Sequence, residues 1–181
     1  MGFFLLSGAT LALPALAAAP ALPGPTYTVA LTGYNAVPAQ TDNNPLETAS
    51  GAYSNPEIIA ARSQDLADKL PFGTIIAIEG PSKKQEDCGY SIVAPTIGYR
   101  VIEDTMNARY TNRIDVLFST NTNYVRGDGS EENAASVIGN CKGVTIRVVG
   151  HLDPVHTDLL PKTQAALARL VNGKSSPLVI K

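Results

Sequence analysis

The chain has 181 residues, with 14 Lys and Arg against 16 Asp and Glu and a formal net charge of −2. That length accommodates one domain with extensions and a real core, and no stretch marks a second full domain. With no tryptophan and no cluster of basic and aromatic residues, the composition argues against nucleic-acid binding.

Residues 1–25 form an uncharged, Ala- and Leu-rich leader; the first charged side chain is Asp42 and the first basic one Arg62. Phe3-Phe4-Leu5-Leu6 and the alanine-rich run after it read as the apolar core of a secretory signal. Ala15-Leu16-Ala17 or Ala17-Ala18-Ala19 would offer the small residues that cleavage needs. Met1-Gly2-Phe3 lacks the positive start of such a signal, and a retained anchor is the competing reading, against which Pro14, Pro20 and Pro23 stand. The expectation is an exported protein, secreted or in the cell envelope, that meets a membrane only through an uncleaved leader. The sequence carries no reading of oligomeric state.

Past the leader, residues 26–33 alternate Tyr27, Val29 and Leu31 against Thr28, Ala30 and Thr32, the pattern of a half-buried strand. A second short strand is expected at 58–61 and a turn of helix at 63–69. Further strands follow at 74–79, 90–94, 98–102, 113–118 and 144–149. Turn-rich segments separate them, including Asn43-Asn44-Pro45, Glu79-Gly80-Pro81-Ser82 and Arg126-Gly127-Asp128-Gly129-Ser130. Ser130 is expected to cap a helix with Glu131 and Glu132 in its first turn and Gly139 at its end. A last helix is expected over 161–172, packing loosely on the body of the domain. Many short strands without strand-helix alternation predict a closed β architecture. Cys88 and Cys141 permit one disulfide in an oxidising compartment, and two free thiols are the alternative.

The most informative stretch is Val101 to Phe118. In its second half Ile114, Val116 and Phe118 share one strand face while Arg113, Asp115 and Leu117 share the other. A carboxylate in mid-strand costs β-propensity and needs a reason. One reason is a solvated face on which Asp115 pairs with Arg113 or Arg109; the other is chemistry.

Three blocks in order, Gln40 to Gly51, Leu70-Pro71-Phe72-Gly73-Thr74 and Val101 to Phe118, make the chain resemble the 3D (three-aspartate) domain family. That family is a double-psi β-barrel, similar to the catalytic barrel of MltA-type lytic transglycosylases and to the Sps/Stp cell-wall proteins. The resemblance implies an all-β fold: a six-stranded double-psi barrel over 26–150, one or two short peripheral helices, and a C-terminal extension over 151–181 with a short helix.

It also implies a function, cleavage of peptidoglycan glycan strands with no metal or other cofactor. Asp115 takes the position of the single acid/base, and Asp104, followed by Thr105, that of the aspartate assisting it. Thr48, Ser50, Arg113 and Tyr34 are expected to line the groove. Such a reaction ends in a 1,6-anhydro-N-acetylmuramic acid, because the sugar's own C6 hydroxyl replaces water, and a second carboxylate is dispensable. Asp115 would then need a raised pKa, from burial or from the like charge of Asp104. Two departures are visible: Met106 and Asn107 stand where the transglycosylases carry glycines, and Arg62 stands where the third aspartate is expected. They keep open an alternative, a non-catalytic wall-binding or structural module of the same fold. His151, Asp153 and His156 lie close in sequence, but Pro154 interrupts them and a solvated loop is the expected reading.

Overall fold

The computed structural model describes residues 24–42, 44–153 and 157–173. The leader up to residue 23, together with Pro154 and His156, thus lies outside the described residues. Six strands close a barrel: β1 (Thr26–Asn35), β2 (Ile59–Arg62), β3 (Thr74–Glu79), β4 (Tyr99–Thr105), β5 (Arg113–Phe118) and β8 (Cys141–His151). Their spatial order is β1-β5-β2-β4-β3-β8, with β8 returning to β1. The pairs β1·β5 and β2·β4 are parallel, and the other four are antiparallel. The expected all-β, six-stranded barrel with a few short helices is the fold observed.

Strand alternation sorts side chains into two layers. Val29, Leu31, Ala60, Ile76, Ile102, Ile114, Val116, Phe118, Val144 and Ile146 form one core cluster. Residues of the opposite parity, among them Tyr34, Ile59, Ala61, Ile75, Val101 and Leu117, form a second with Met106 and Leu167. Both faces of β5 are therefore covered, and its polar residues sit within packed structure rather than on a bare surface.

Three local expectations are overturned. Residues 90–94 belong to helix α1 (Tyr90–Ile97), not to a strand. Val93 and Ile97, four apart, are both buried, a helical spacing that the short apolar run does not separate from a strand's. Glu131 and Glu132 do not open a helix. They form β7 (Glu131–Asn133), paired with β6 (Asn123–Val125) across a turn in which Gly129 takes φ 84° and Arg126 bonds Glu132. The helix behind it, α2 (Ala134–Val137), is capped by Asn133, whose side chain accepts from the Ala135 N–H at 3.0 Å.

The last helix, α3 (Gln164–Asn172), docks closely instead of packing loosely. Leu167 is fully buried, and the Gln164 amide donates to the Ile97 and Tyr99 carbonyls and accepts from the Tyr99 N–H. A polar side chain reading a strand end in this way leaves no apolar stripe in the sequence.

Two buried features tie the barrel together. Arg100 is 1% exposed, and its guanidinium donates to the carbonyls of Pro56, Thr96, Ile97 and Leu117; burial pushes its pKa down to about 10. Cys88 and Cys141 form a disulfide that joins the segment before α1 to the first residue of β8.

Candidate active site

The site is built on one row across four strands. On β5, Asp115 lies between Thr32 of β1 and Ala61 of β2, and on β2, Ala61 faces Asp104 of β4. Cross-strand neighbours project to the same side of a sheet, so both carboxylates rise from one face with only the methyl group of Ala61 between them. Their backbones are two strand spacings apart, about 9–10 Å.

A bulge sets the second carboxylate. The β2·β4 register shifts between Ala60 and Ala61, so that Ala60 opposes Ile102 and Ala61 opposes Asp104. Glu103 is the extra residue, and the bulge re-aims Asp104 onto the row.

Asp104 is held by three donors. The Tyr34 hydroxyl donates to Oδ2 at 2.7 Å, while the N–H groups of Ala49 and Thr105 donate to Oδ1 at 3.0 and 2.8 Å. Its shape is thus fixed by β1, by the 48–51 turn and by its own strand. Among the described residues Asp115 has one hydrogen-bond partner, the Thr32 hydroxyl, which donates to Oδ1 at 2.9 Å. Its Oδ2 meets no protein donor among the described residues and is not sealed in the core, which leaves it for a ligand.

Electrostatics bear on Asp115. Burial raises the Asp115 pKa to about 6, and the Asp104 charge adds a smaller push in the same direction. The Thr32 hydrogen bond and the Arg113 guanidinium oppose it without cancelling it. Tyr34 is pushed well above the usual tyrosine range, first by its own burial and then by Asp104, so it remains a hydrogen-bond donor.

The other sequence-designated residues are gathered less evenly. Arg113 shares the Asp115 face of β5, two residues away, and its side chain lies near the Tyr110 ring. Thr48 is buried, and its hydroxyl meets the Ala52 carbonyl and the Ser50 hydroxyl. What this turn delivers to Asp104 is the Ala49 N–H. Ser50 closes the turn, its own N–H bonding the Glu103 carbonyl.

Met106 is 8% exposed, buried with Tyr34 and Ala61, and does not take a positive φ, so a glycine's freedom is not required there. Arg62, next to Ala61, projects to the opposite side: its Nε donates to the Leu70 carbonyl at 2.7 Å and its guanidinium lies 4.9 Å from the Phe72 ring centre. It contributes nothing to the carboxylate row.

Thr32, Tyr110 and Glu103 escaped sequence reasoning. Thr32 follows from the strand alternation, but its meeting with Asp115 depends on a parallel register between strands 83 positions apart. Tyr110 reads as a plain loop residue, and Arg109, named in the sequence only as an alternative partner of Asp115, lies against the Tyr110 ring and donates to its hydroxyl. Glu103 is fully buried with no hydrogen-bond partner for either oxygen among the described residues, and burial raises its pKa despite the nearby Ser50 hydroxyl and Gly73 N–H.

No group of three or more His, Cys, Asp or Glu able to hold a metal ion occurs among the described residues. Two cavities, of about 490 and 270 Å³, lie elsewhere, the larger lined mostly by apolar residues of β3, α1 and α3, and neither is lined by Asp104 or Asp115. No helix among the described residues is long and apolar enough to cross a membrane. Compared with protein-family models and with curated proteins, the chain matches none. The fold alone defines the class here, a closed six-stranded β-barrel with two carboxylates on one face.

Tyr34→Phe tests the row directly. It removes one hydrogen bond to the Asp104 carboxylate and is expected to lower stability by about 1–3 kcal/mol, measured by denaturant unfolding.

Proposed function

We infer that this protein is an exported lytic transglycosylase that cleaves peptidoglycan glycan strands, with Asp115 as its single acid and base. The observation that carries this reading is the Asp115 carboxyl group, its pKa raised to about 6 by burial and its Oδ2 without a partner among the described residues. Such a group is protonated at mildly acid pH, keeps roughly a tenth of its protons at pH 7, and can release the proton to a ligand. The resemblance to the 3D domain supplies the substrate class, and the observed six-stranded barrel is compatible with it. The Cys88–Cys141 disulfide supports an oxidising, extracytoplasmic location.

The steps balance on one carboxyl group. Asp115 gives its proton to the glycosidic oxygen as the bond to the muramic acid C1 breaks. The resulting carboxylate takes the proton from the C6 hydroxyl of that sugar, whose oxygen closes onto C1. The product is a 1,6-anhydro end, and Asp115 is again protonated. Asp104, anchored by Tyr34, Ala49 and Thr105, acts on Asp115 through its charge.

Protonated Asp115 falls tenfold per pH unit above its pKa, so the rate is expected to decline along that slope above about pH 6. In Arg113→Gln the decline should begin at higher pH, because the guanidinium that holds the pKa down is gone. A pH profile of product release from purified sacculi measures both.

A second reading, a non-catalytic wall-binding or structural module, is favoured by Met106, buried in the same cluster as Tyr34 and Ala61 where the resemblance calls for glycine, and by Arg62, which faces away. Incubation with sacculi and mass spectrometry of the soluble products separates the two. Anhydro-muropeptides support the enzyme; intact sacculi that retain the protein support the module.

A further inference from the structure

Beside Asp115 lies a cationic feature for which the proposed chemistry names no ligand. The guanidinium carbons of Arg109 and Arg113 lie 4.8 and 5.2 Å from the centre of the same Tyr110 ring, and Arg109 also donates to the Tyr110 hydroxyl at 2.9 Å. Among the described residues neither arginine forms an ion pair. The Arg113 Nε is sealed from solvent without a hydrogen-bond partner there, whereas its terminal nitrogens are not sealed and also lack one, which leaves them for an acceptor that the chain itself does not provide.

The segment is pinned at both ends. Asn107 holds it through its side-chain oxygen, which accepts from the Arg109 N–H, and through its carbonyl, which accepts from the Tyr110 N–H. At the other end the Asn112 N–H meets both oxygens of Asp65 at 3.1 and 3.0 Å, with Asn112 at φ 47°. Two forked donors are therefore presented on a built platform, and planar forks match carboxylates.

We propose that Arg109, Tyr110 and Arg113 form a subsite for the carboxylate borne by the muramyl residues of a glycan, so that the substrate is an anionic muramyl strand and not a neutral chitin-like one. This rests on the glycan reading above. The carboxylate has two sources, the stem peptide or the free lactyl group exposed when the stem is removed. Either one neutralises Arg113, the cation that opposes protonation of Asp115, so a bound anionic substrate favours the acid form of its own catalyst.

The test is equilibrium binding to the Asp115→Asn protein with three soluble probes of matched length: peptide-bearing glycan strands, amidase-treated strands with free lactyl carboxylates, and chito-oligosaccharides. At least one carboxylated probe should bind about tenfold or more tightly than the neutral one at low salt, an advantage lost at high salt. Whichever of the two binds more tightly identifies the source. The Arg109→Gln/Arg113→Gln pair should erase the advantage, so that the carboxylated probes bind no more tightly than chito-oligosaccharides. Arg109→Gln alone, at an exposed position, should erase part of it in a protein with unaltered melting.

Equal affinity for all three probes, or an advantage that survives the double variant, overturns the subsite. Carboxylate preference without anhydro products from the wild-type protein would overturn only the enzymatic reading, whereas anhydro products without the preference would overturn only the subsite.

Discussion

Asp115→Asn is expected to cut the release of anhydro-muropeptides by about 100-fold or more, the range that a positioned general acid and base supplies. The same change should stabilise the fold. Asp115 has a carboxyl pKa near 3.8 when unfolded and about 6 when folded. Between those values the folded protein binds more protons than the unfolded one, so the stability that Asp115 contributes is fully present below pH 4 and is lost as pH rises through 6. By pH 7 the loss is roughly 3 kcal/mol. Asparagine carries no charge to desolvate, and its amide oxygen can still accept from Thr32. The variant should therefore unfold at higher denaturant than wild type at pH 7 and at a similar concentration at pH 4. Loss of activity with no gain in stability at pH 7 would argue against a desolvated, functional Asp115.

The second large effect concerns Cys88 and Cys141, which close a loop of 53 residues. Confining a loop of that length removes chain entropy from the unfolded state worth about 4 kcal/mol. Replacing both cysteines by alanine is expected to lower the melting temperature by about 10–15 °C in a domain of this size. Scanning calorimetry of the variant measures the drop, and wild type treated with reductant should follow it. A change below about 3 °C would mean that the bridge constrains little.

Much of the barrel was legible in the sequence because its strands are short, alternating and bounded by turn residues. The face-sorting of Arg113 to Phe118 needed nothing but a period of two, and the two core clusters divide as it predicts. The 90–94 segment failed because Val93 and Ile97, four apart, share a face in either geometry; the helix shows in the exposure of Ser91 and Pro95, which a strand would bury with them, and in the bond from the Val93 N–H to the Gly89 carbonyl. Glu131 and Glu132 failed because the turn at 126–130 and the Arg126 ion pair drew them into a hairpin.

In the site, Asp104, Asp115, Tyr34 and Arg113 could be nominated from local pattern and resemblance. Thr32 and the Ala49 N–H could not, since each reaches its carboxylate through a long-range contact between segments distant in sequence. Arg62 is the reverse case. It stood out as an anomaly in the sequence, yet strand alternation turns it to the other face, where it serves Leu70 and Phe72.

Strand β8 is the last barrel strand in the chain, and it pairs with both β1 and β3. Every earlier stage of synthesis therefore leaves a chain with two unpaired sheet edges. The barrel cannot close progressively from its amino end; it waits for residues 141–151 and then closes on both sides at once. Closure of the barrel is thus tied to the last of its strands, so that loss of residues 141–151 would open it on two sides rather than trim one edge.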